Sequence, residues 1–450
     1  MEKENIDVLA FEQEPLSDRD YTLNEAIIEA KRCLNCAKPM CRTGCPINNE
    51  IPQFIHELSL ANIGTAAQHI YHNSDLPAIC GRVCPREKQC EGACVLGIKG
   101  RPINIGKLER FVADTVLDGH IPFAAGYGPK KGNVAVIGSG PAGLTVADEL
   151  VRCQYDVTVF EEKDEPGGML FYGIPAFRLH KKYIYREVER LEKAGVTFRY
   201  GQKIGRDESL KKLVSQGFDA AFIGVGTAAA WNLGVENDGI AGVVDAQEFL
   251  QQVQQVQIGQ LGADSLPIQK GDKVVVVGAG NVAIDAARTA LRLCKDVTIV
   301  YRRAPENMKC LPSEYEEANA EGVKFQFYSA PRAVVGTDKV EGLQYEKQEI
   351  LKDATMVPTG EFGMAPATKI IAAIGNRPEL SCLKAFGIKT DKDGYIKAHS
   401  KPYGMTSIDG VFAAGDIVHR PATVVLAMRE AKKVASAMDS YLQGRTGHHE

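Results

Sequence analysis

The sequence has no apolar run approaching the ~20 residues that a membrane-spanning helix needs. It has no basic excess: 53 Lys and Arg stand against 57 Asp and Glu, for a net charge of −4 and a pI near 6.2. That balance excludes the electrostatic footprint of a nucleic-acid binder. It has no apolar, positively flanked leader either. The first twenty residues carry Glu2, Glu4, Asp7, Glu12, Glu14, Asp18 and Asp20, which fits neither a secretory nor a transit peptide and predicts a cytoplasmic location. From residue 132 onward there is no Cys-x2-Cys pair, which argues against a dithiol–disulfide reductase. A chain of 450 residues exceeds what one core serves, so two to three domains are expected.

The cysteines are instead concentrated. Of 12, eight lie between Cys33 and Cys94, in two blocks: Cys33, Cys36, Cys41 and Cys45-Pro46, then Cys80, Cys84-Pro85, Cys90 and Cys94. Cys153, Cys294, Cys310 and Cys382 are scattered. In a reducing compartment such density reads as metal ligation rather than disulfides. Thiolates suit both zinc and iron–sulfur clusters. A close run of four ending in Cys-Pro favours clusters, and eight thiols are enough for two of them; structural zinc is the alternative. Around the blocks the pattern is helical. Thr22-Leu-Asn-Glu25 fits a capping box opening a helix over 23–33. Further helices are expected over 52–60, 64–73 and 104–117, the last with Ile105, Leu108, Phe111, Val112 and Val116 on one face. Residues 1–118 thus read as a small helical module with too few large apolar residues to hold without metal. Residues 119–131, rich in Pro and Gly, read as a linker.

From 132 onward short β-branched runs alternate with helical stretches, the pattern of a parallel sheet. Val134-Ala-Val-Ile-Gly138-Ser-Gly140-Pro-Ala-Gly143 is the strand–turn–helix start of a dinucleotide-binding unit. Gly138 permits the tight turn, Gly140 admits a pyrophosphate to the backbone, and Gly143 lets the helix pack closely on the strand. The frame repeats 140 residues later: Gly138, Gly140 and Gly143 map onto Gly278, Gly280 and Ala283, and Asp156-Val-Thr-Val159 onto Asp296-Val-Thr-Ile299. The second strand of the first copy ends in Glu161, which can accept hydrogen bonds from ribose hydroxyls. The second copy has Tyr301-Arg302-Arg303 there, and guanidinium groups can grip a 2′-phosphate; a solvated arginine loop is the alternative. The first site therefore suits a nucleotide with a free ribose and the second NADPH. Near the C-terminus Gly410-Val-Phe-Ala-Ala-Gly415-Asp416, followed by a helical stretch over 422–442, would return the chain to the first fold. The second fold is then nested in the first, with boundaries near 132–230 plus 370–443 and 231–369, leaving 444–450 as a tail.

Together these residues resemble the small (beta) subunit family of NADPH-dependent glutamate synthase. Its relatives are the N-terminal half of dihydropyrimidine dehydrogenase and the large subunit of NADH-dependent ferredoxin:NADP oxidoreductase. The resemblance implies an α/β fold class: two nested Rossmann-like nucleotide-binding domains of the FAD/NAD(P)-disulfide-reductase type, preceded by an α-helical iron–sulfur domain. It implies FAD at Gly138, Gly140, Gly143 and Glu161, with Gly167-Gly168-Met-Leu170 near the flavin, Gly415 and Asp416 at its ribityl chain, and Ala422 and Thr423 at its pyrimidine edge. It matches Ile223-Gly-Val-Gly-Thr227 to a crossing strand. It places NADPH at Gly278, Gly280, Asn281 and Ala283, with Arg302 and Arg303 on the 2′-phosphate. Two segments depart from the family pattern: Asn307-Met-Lys-Cys-Leu-Pro312 is longer, and His419-Arg420-Pro421 replaces small residues, with Arg420 facing either flavin or solvent.

The resemblance also divides the cysteines unevenly. One [4Fe–4S] cluster would use Cys33, Cys36, Cys41 and Cys94. The other would use Cys45, Cys84, Cys90 and Glu109, with Cys80 as the alternative fourth ligand. The implied function is an NADPH-oxidising electron-transfer subunit with FAD and two [4Fe–4S] clusters and no side-chain acid or base in the chemistry. Its acceptor would be a separate protein: a glutamate synthase large subunit, a small flavin/iron–sulfur subunit, or ferredoxin, in a hetero-oligomer without nucleic acid or membrane. Related readings are a bifurcating ferredoxin:NADP oxidoreductase, a sulfide dehydrogenase and the NAD(P)H-side subunit of dihydropyrimidine dehydrogenase. From another class, a redox-inactive assembly module would use zinc and nucleotides structurally.

Overall fold

The computed structural model describes residues 19–119, 128–206, 210–351 and 355–446. Most of the acidic lead-in, most of the expected linker and the last residues of the expected tail lie outside them. The chain divides into two compact units. One holds Glu14–Phe171, Arg178–Ala228 and Arg377–Glu450; the other holds Tyr172–Phe177 and Ala229–Asn376.

The first unit opens with helices Leu23–Ala30, Met40–Gly44, Ile51–Ser59, Ile63–Asn73, Pro77–Val83 and Ile105–Asp118. The capping box is present: the Thr22 N–H donates to Glu25 Oε2 (2.9 Å), and the Glu25 N–H points back at Thr22 Oγ1 (3.4 Å). The helix it opens ends at Ala30, short of the expected 33, so Cys33 is delivered by a turn. Nothing in the periodicity announced Pro77–Val83, which carries Cys80 at the start of the second cysteine block and has all but its last residue buried. The module has an apolar core of its own. Phe54, Ile55, Leu58, Ile70, Leu108 and Val112 are buried there, and Cys33, Cys41, Cys45 and Cys94 pack on its margin.

Behind this module, in the same unit, stands a five-stranded parallel sheet. Its order is Val411–Ala413, Ala220–Ile223, Asn133–Ile137, Asp156–Phe160, Thr197–Arg199. The long helix Val424–Thr446 packs beside Pro141–Arg152. The second unit repeats the order: Val243–Asp245, Lys369–Ala372, Val274–Val277, Val297–Val300, Lys324–Gln326, again all parallel. The 140-residue repeat survives as register. Val134 pairs with Val157, and Val274 with Val297. The edge strand at this end of each order is Val411–Ala413, last in the chain, in the first sheet and Val243–Asp245, first of its sheet in chain order, in the second. The second unit adds an antiparallel sheet, Ser329–Val335, Gly342–Ile350 and Met356–Pro366. Among the described residues no helix is long and apolar enough to cross a membrane.

Candidate functional site

Each glycine of the first loop has a separate reason to be glycine. Gly138 has φ +96°, and a Cβ there would meet the Gly224 carbonyl at 2.7 Å. A Cβ on Gly143 would come within 1.9 Å of the Gly138 carbonyl, so the helix can pack this closely only without a side chain. A Cβ on Gly140 would meet nothing within 4 Å, so the surface ahead of the helix N-terminus is open to a ligand. That N-terminus presents unpaired N–H groups and a partial positive charge, the setting for a pyrophosphate.

Other expected residues converge on the same loop. Gly168, with φ +52°, would bring a Cβ to 3.2 Å from the Gly140 Cα. Gly415, with φ +78°, lies over Ala142, in the first turn of the helix. Asp416 opens a short helix to His419, accepts a bond from the Ala422 N–H, and is pushed up to about 6 by burial. Ala422 and Thr423 immediately precede helix Val424–Thr446, and the buried Thr423 hydroxyl has no hydrogen-bond partner among the described residues. A buried orphan hydroxyl facing a helix start is what a polar cofactor edge would satisfy. Glu161 is buried at the end of its strand, where Oε2 accepts from the Ser139 N–H (2.9 Å) and hydroxyl (2.6 Å) and Oε1 from the Lys163 N–H (3.0 Å). Ser139 also accepts from the Gly167 N–H (2.9 Å), tying this carboxylate to the second glycine pair. Nothing in the sequence around Ser139, between two loop glycines, signals that role, because its partner Glu161 is 22 residues away. Arg420 is on the surface, paired with Asp393 at 2.8 Å.

In the second unit Gly278 has φ +129°, and a Cβ there would meet the Ala373 carbonyl at 2.4 Å, while Gly280 is again open. Ala283 is buried in the helix, and Asn281 sits at its first position within 3.5 Å of Glu314. Arg302 and Arg303 are exposed just beyond the second strand. The segment 307–312 folds back on the glycine loop: the Lys309 N–H donates to the Ala279 carbonyl (3.1 Å), and the Tyr301 hydroxyl donates to the Asn307 carbonyl (2.8 Å). The apparent extra length is therefore a buttress for the loop.

The eight clustered cysteines form two groups. Cys33, Cys36, Cys41 and Cys94 line one cavity, whose remaining walls are mostly apolar and include Ile51, Ile55, Ile103 and Ile105. Burial and the neighbouring thiols push Cys41 up to about 11 and raise Cys33 as well. Cys45, Cys84, Cys90 and Glu109 interact electrostatically with one another in the second group. Burial raises the Glu109 carboxyl to about 8, although Arg86 is nearby and the Asn49 amide donates to it (3.4 Å). Cys80 is fully enclosed, hydrogen-bonded with Cys84 and 3.4 Å from the sulfur of Met428 on the long helix. Asn49 was another residue the sequence did not single out.

Crowded, dehydrated thiols are costly to ionise unless a cation replaces the protons, and soft thiolates prefer iron–sulfur clusters or zinc. Among the described residues no three His, Cys, Asp or Glu side chains are gathered as for a single metal ion. In a four-iron cluster each thiolate binds a different iron, so the ligands encircle a larger space, as around this cavity. The donor set fits such a cluster.

A buried ionic network fixes the cysteine module to the flavin-type fold within this unit. Arg190 pairs with Asp148 (2.8 Å) and donates to the Asp75 carbonyl (2.9 Å), and Lys432 approaches the Asp75 carboxylate (3.3 Å). Arg82 pairs with Asp114 (2.6 Å) and stacks 3.3 Å from the Tyr183 ring centroid. Breaking such a buried pair from one side leaves an uncompensated charge, so the module is held rigidly.

Comparison with known proteins agrees with this anatomy. Residues 13–121 match a family described as dihydropyrimidine dehydrogenase domain II, 4Fe-4S cluster, and residues 132–431 match pyridine nucleotide-disulphide oxidoreductase. The glutamate synthase [NADPH] small chain of Escherichia coli K12 is 35% identical over 441 residues, covering 94% of this chain and 93% of that one. The NAD-dependent dihydropyrimidine dehydrogenase subunit PreT of the same organism is 35% identical over 426 residues, covering 94% and 96%. In fold, the chain is similar to Mycobacterium tuberculosis FprA in complex with NADPH, with a TM-score of 0.61 at 19% identity, covering 71% of this chain and 86% of that one. The chain therefore belongs to the glutamate synthase small chain and dihydropyrimidine dehydrogenase family of FAD- and NADPH-linked electron-transfer oxidoreductases, with an iron–sulfur-type helical domain ahead of its nucleotide-binding folds.

Proposed function

We propose that the chain is the electron-input subunit of an NADPH-dependent glutamate synthase, acting on a separate large subunit. When bound, a flavin would convert the hydride of NADPH into single electrons, and two [4Fe–4S] clusters would carry these onward. The residues bind and orient. Gly280 and the start of the helix over 281–294 leave room for the NADPH pyrophosphate, with Arg302 and Arg303 free to reach a 2′-phosphate. Gly140, Gly168, Gly415 and Thr423 border the flavin site, Asp416 is bonded to the Ala422 N–H beside it, and Glu161 is held at the ribose end by Ser139. Cys33, Cys36, Cys41 and Cys94 would hold one cluster, and Cys45, Cys84, Cys90 and Glu109 the other. The domain limits proposed are 1–118 for the cluster domain, near 132–230 with 377–443 for the flavin domain and near 231–376 for the NADPH domain, whose sheet includes Lys369–Ala372.

The observation that carries this reading is the partition of the cysteines. One set of four lines a single cavity, and the other gathers about Glu109 with Cys80 against Met428 of the flavin-type fold. The decisive experiment is anaerobic purification. A flavin spectrum with broad ~400 nm absorption and about eight irons per chain is expected; a colourless protein would sink the reading. Glutamate formation should require the large subunit, and glutamate made by the isolated chain would overturn the subunit assignment. Glu109→Ala should lower iron content and alter the cluster spectrum, whereas Cys80→Ala should not; the reverse result makes Cys80 the ligand.

A second reading, the NAD(P)H-side subunit of a dihydropyrimidine dehydrogenase, draws on the family match over 13–121 and on PreT. Uracil reduction with a pyrimidine-binding partner, and none of glutamine-dependent NADPH oxidation with a glutamate synthase large subunit, would select it.

A further inference from the structure

The two thiol groups have different charges at close quarters. Among the described residues, the cavity of Cys33, Cys36, Cys41 and Cys94 has no charged side chain in its wall. Cys45, Cys84 and Cys90 instead share their surroundings with the carboxylate of Glu109, and Cys90 also feels Glu91. Against this gathering of negative charge stands Arg86, which follows Cys84-Pro85 directly in the chain. It is the basic group that acts on Glu109.

The place of Arg86 is built on three sides. Its carbonyl accepts from the N–H groups of Gln89 (3.0 Å), Glu91 (3.1 Å) and Gly92 (3.1 Å), which fixes the backbone in the turn between Cys84 and Cys90. Its Nη1 donates to the Gly81 carbonyl (3.1 Å), in the helix Pro77–Val83. On the other side the guanidinium lies against Gly106, in the first turn of helix Ile105–Asp118. A Cβ on Gly106 would stand 2.1 Å from the Arg86 Cδ and 2.4 Å from its Nη1. Alanine favours a helix more than glycine does, so glycine here costs helix stability and leaves room for the arginine. Gly106 and Glu109 are three residues apart on that helix and share a face, so the cation lies on the face that bears the carboxylate. Glu91 is turned elsewhere: its Oε1 accepts from the Gly106 N–H (2.9 Å) and stays 4.0 Å from the Arg86 Nε. The Arg86 side chain is 21% exposed, so its charge is only partly screened by water. That charge is also permanent, because a guanidinium keeps its proton in proteins.

We propose that Arg86 is the positioning residue of the second thiol group: seated on Gly106, it holds Glu109 as a carboxylate toward iron and raises the reduction potential of the cluster at Cys45, Cys84, Cys90 and Glu109, and of that cluster alone. The inference rests on the cluster reading of those four residues. A reduced cluster is more negative than an oxidised one, and a fixed cation nearby favours the reduced form.

The test is an anaerobic potentiometric titration of the holoenzyme followed by low-temperature EPR, with iron counted per chain. The signal altered in Glu109→Asp marks the second cluster. Arg86→Gln should disfavour reduction of that cluster about tenfold, equivalent to ~59 mV for a one-electron couple, and leave the other cluster where it was. Arg86→Lys, which restores the charge, should stay near the wild type. Gly106→Ala, which keeps the arginine but fills its seat, should lower the same potential. An unmoved potential in Arg86→Gln, an equal fall of both clusters, or a fall in Arg86→Lys as large as in Arg86→Gln would overturn the inference. Should Arg86→Gln lose iron, the other two variants decide: Arg86→Lys at the wild-type potential with Gly106→Ala below it upholds the role, and no difference between them overturns it. A wild type without a cluster signal, or a Glu109→Asp that alters neither signal, overturns the underlying reading and this inference with it.

Discussion

Helix Pro141–Arg152 and helix Asn281–Cys294 occupy the same place in their respective sheets, yet they face different demands. At the 140-residue offset Asp148 corresponds to Arg288 and Arg152 to Arg292. In the first helix, buried Asp148 pairs with Arg152 and Arg190 in the network that grips the cysteine module. In the second, Arg288 and Arg292 bond Glu317 and Glu321 of the helix Pro312–Glu321 beside them and lie over the Phe177 ring. The third glycine differs likewise. Gly143 cannot bear a Cβ against the Gly138 carbonyl, whereas Ala283 already has one. The edge strands differ most. In the second fold Val243–Asp245 runs straight into helix Ala246–Gln257, capped by Asp245 bonded to the Glu248 N–H (2.9 Å). In the first, residues 414–423 intervene between Val411–Ala413 and Val424–Thr446, and these include Asp416, Ala422 and Thr423. One strand–loop–helix plan thus carries a ten-residue connection in one copy and a direct strand-to-helix turn in the other.

That contrast can be broken by mutation. Arg190→Ala should cost most, about 3–5 kcal/mol in chemical denaturation, because it leaves the buried Glu187 without its cation and Asp148 with Arg152 alone; an effect below ~1 kcal/mol would mean the network is solvent-relaxed. Next, Arg302→Ala/Arg303→Ala should raise the KM for NADPH ten- to a hundredfold, equivalent to about 1.5–3 kcal/mol of charge-assisted bonding, and leave NADH almost unaffected. Equal losses for both nucleotides would remove the arginines from the 2′-phosphate.

Asp416 gives a pH test. Its folded value of about 6 lies above the ordinary 3.8, so the folded state keeps a proton that the unfolded chain has already lost between those values. The contribution of Asp416 to the stability of the flavin-free protein therefore falls as pH rises from about 4 to 6 and is constant above. Asp416→Asn should be more stable than the parent by about 3 kcal/mol at pH 7.5, with the gain vanishing below about pH 4. A pH-independent difference would contradict this. Smallest of all, Asp245→Ala should cost about 1 kcal/mol by removing the cap, with no change in flavin content.

Much of this was legible because it lies in local pattern. The glycine loops, the second strands and the capping box depend on residues within a few positions of one another, and their spacing carried through to register. The nested order could be read because the repeat has a fixed offset. What escaped depends on long-range placement. Helix Pro77–Val83 has no amphipathic period because it is buried nearly all round. Ser139 matters only because Glu161, 22 residues away, folds onto it. The partners of Asp75 come from Arg152, Arg190 and Lys432, which no local window connects. The antiparallel sheet of Ser329–Val335, Gly342–Ile350 and Met356–Pro366 is not signalled by the sequence because its strands contain Pro331, Pro358 and Gly360 and are largely exposed along Met356–Pro366. The partition of the cysteines came from resemblance, since spacing alone allows an even split.

The position of strand Val411–Ala413 also has a bearing on biosynthesis. It pairs with Ala220–Ile223, so the flavin-type sheet stays one strand short until nearly the whole chain has left the ribosome. The nested fold, whose five parallel strands all lie between 243 and 372, can close well before then. Domains fold as units during synthesis, N-terminal parts first, but nesting reverses that order here. The later domain matures first, and the earlier one waits with an open edge along Ala220–Ile223, a template for mispairing. A chain interrupted after residue 372 would contain a finished nucleotide fold and an unfinished one, and it is the unfinished one that chaperones would have to shield.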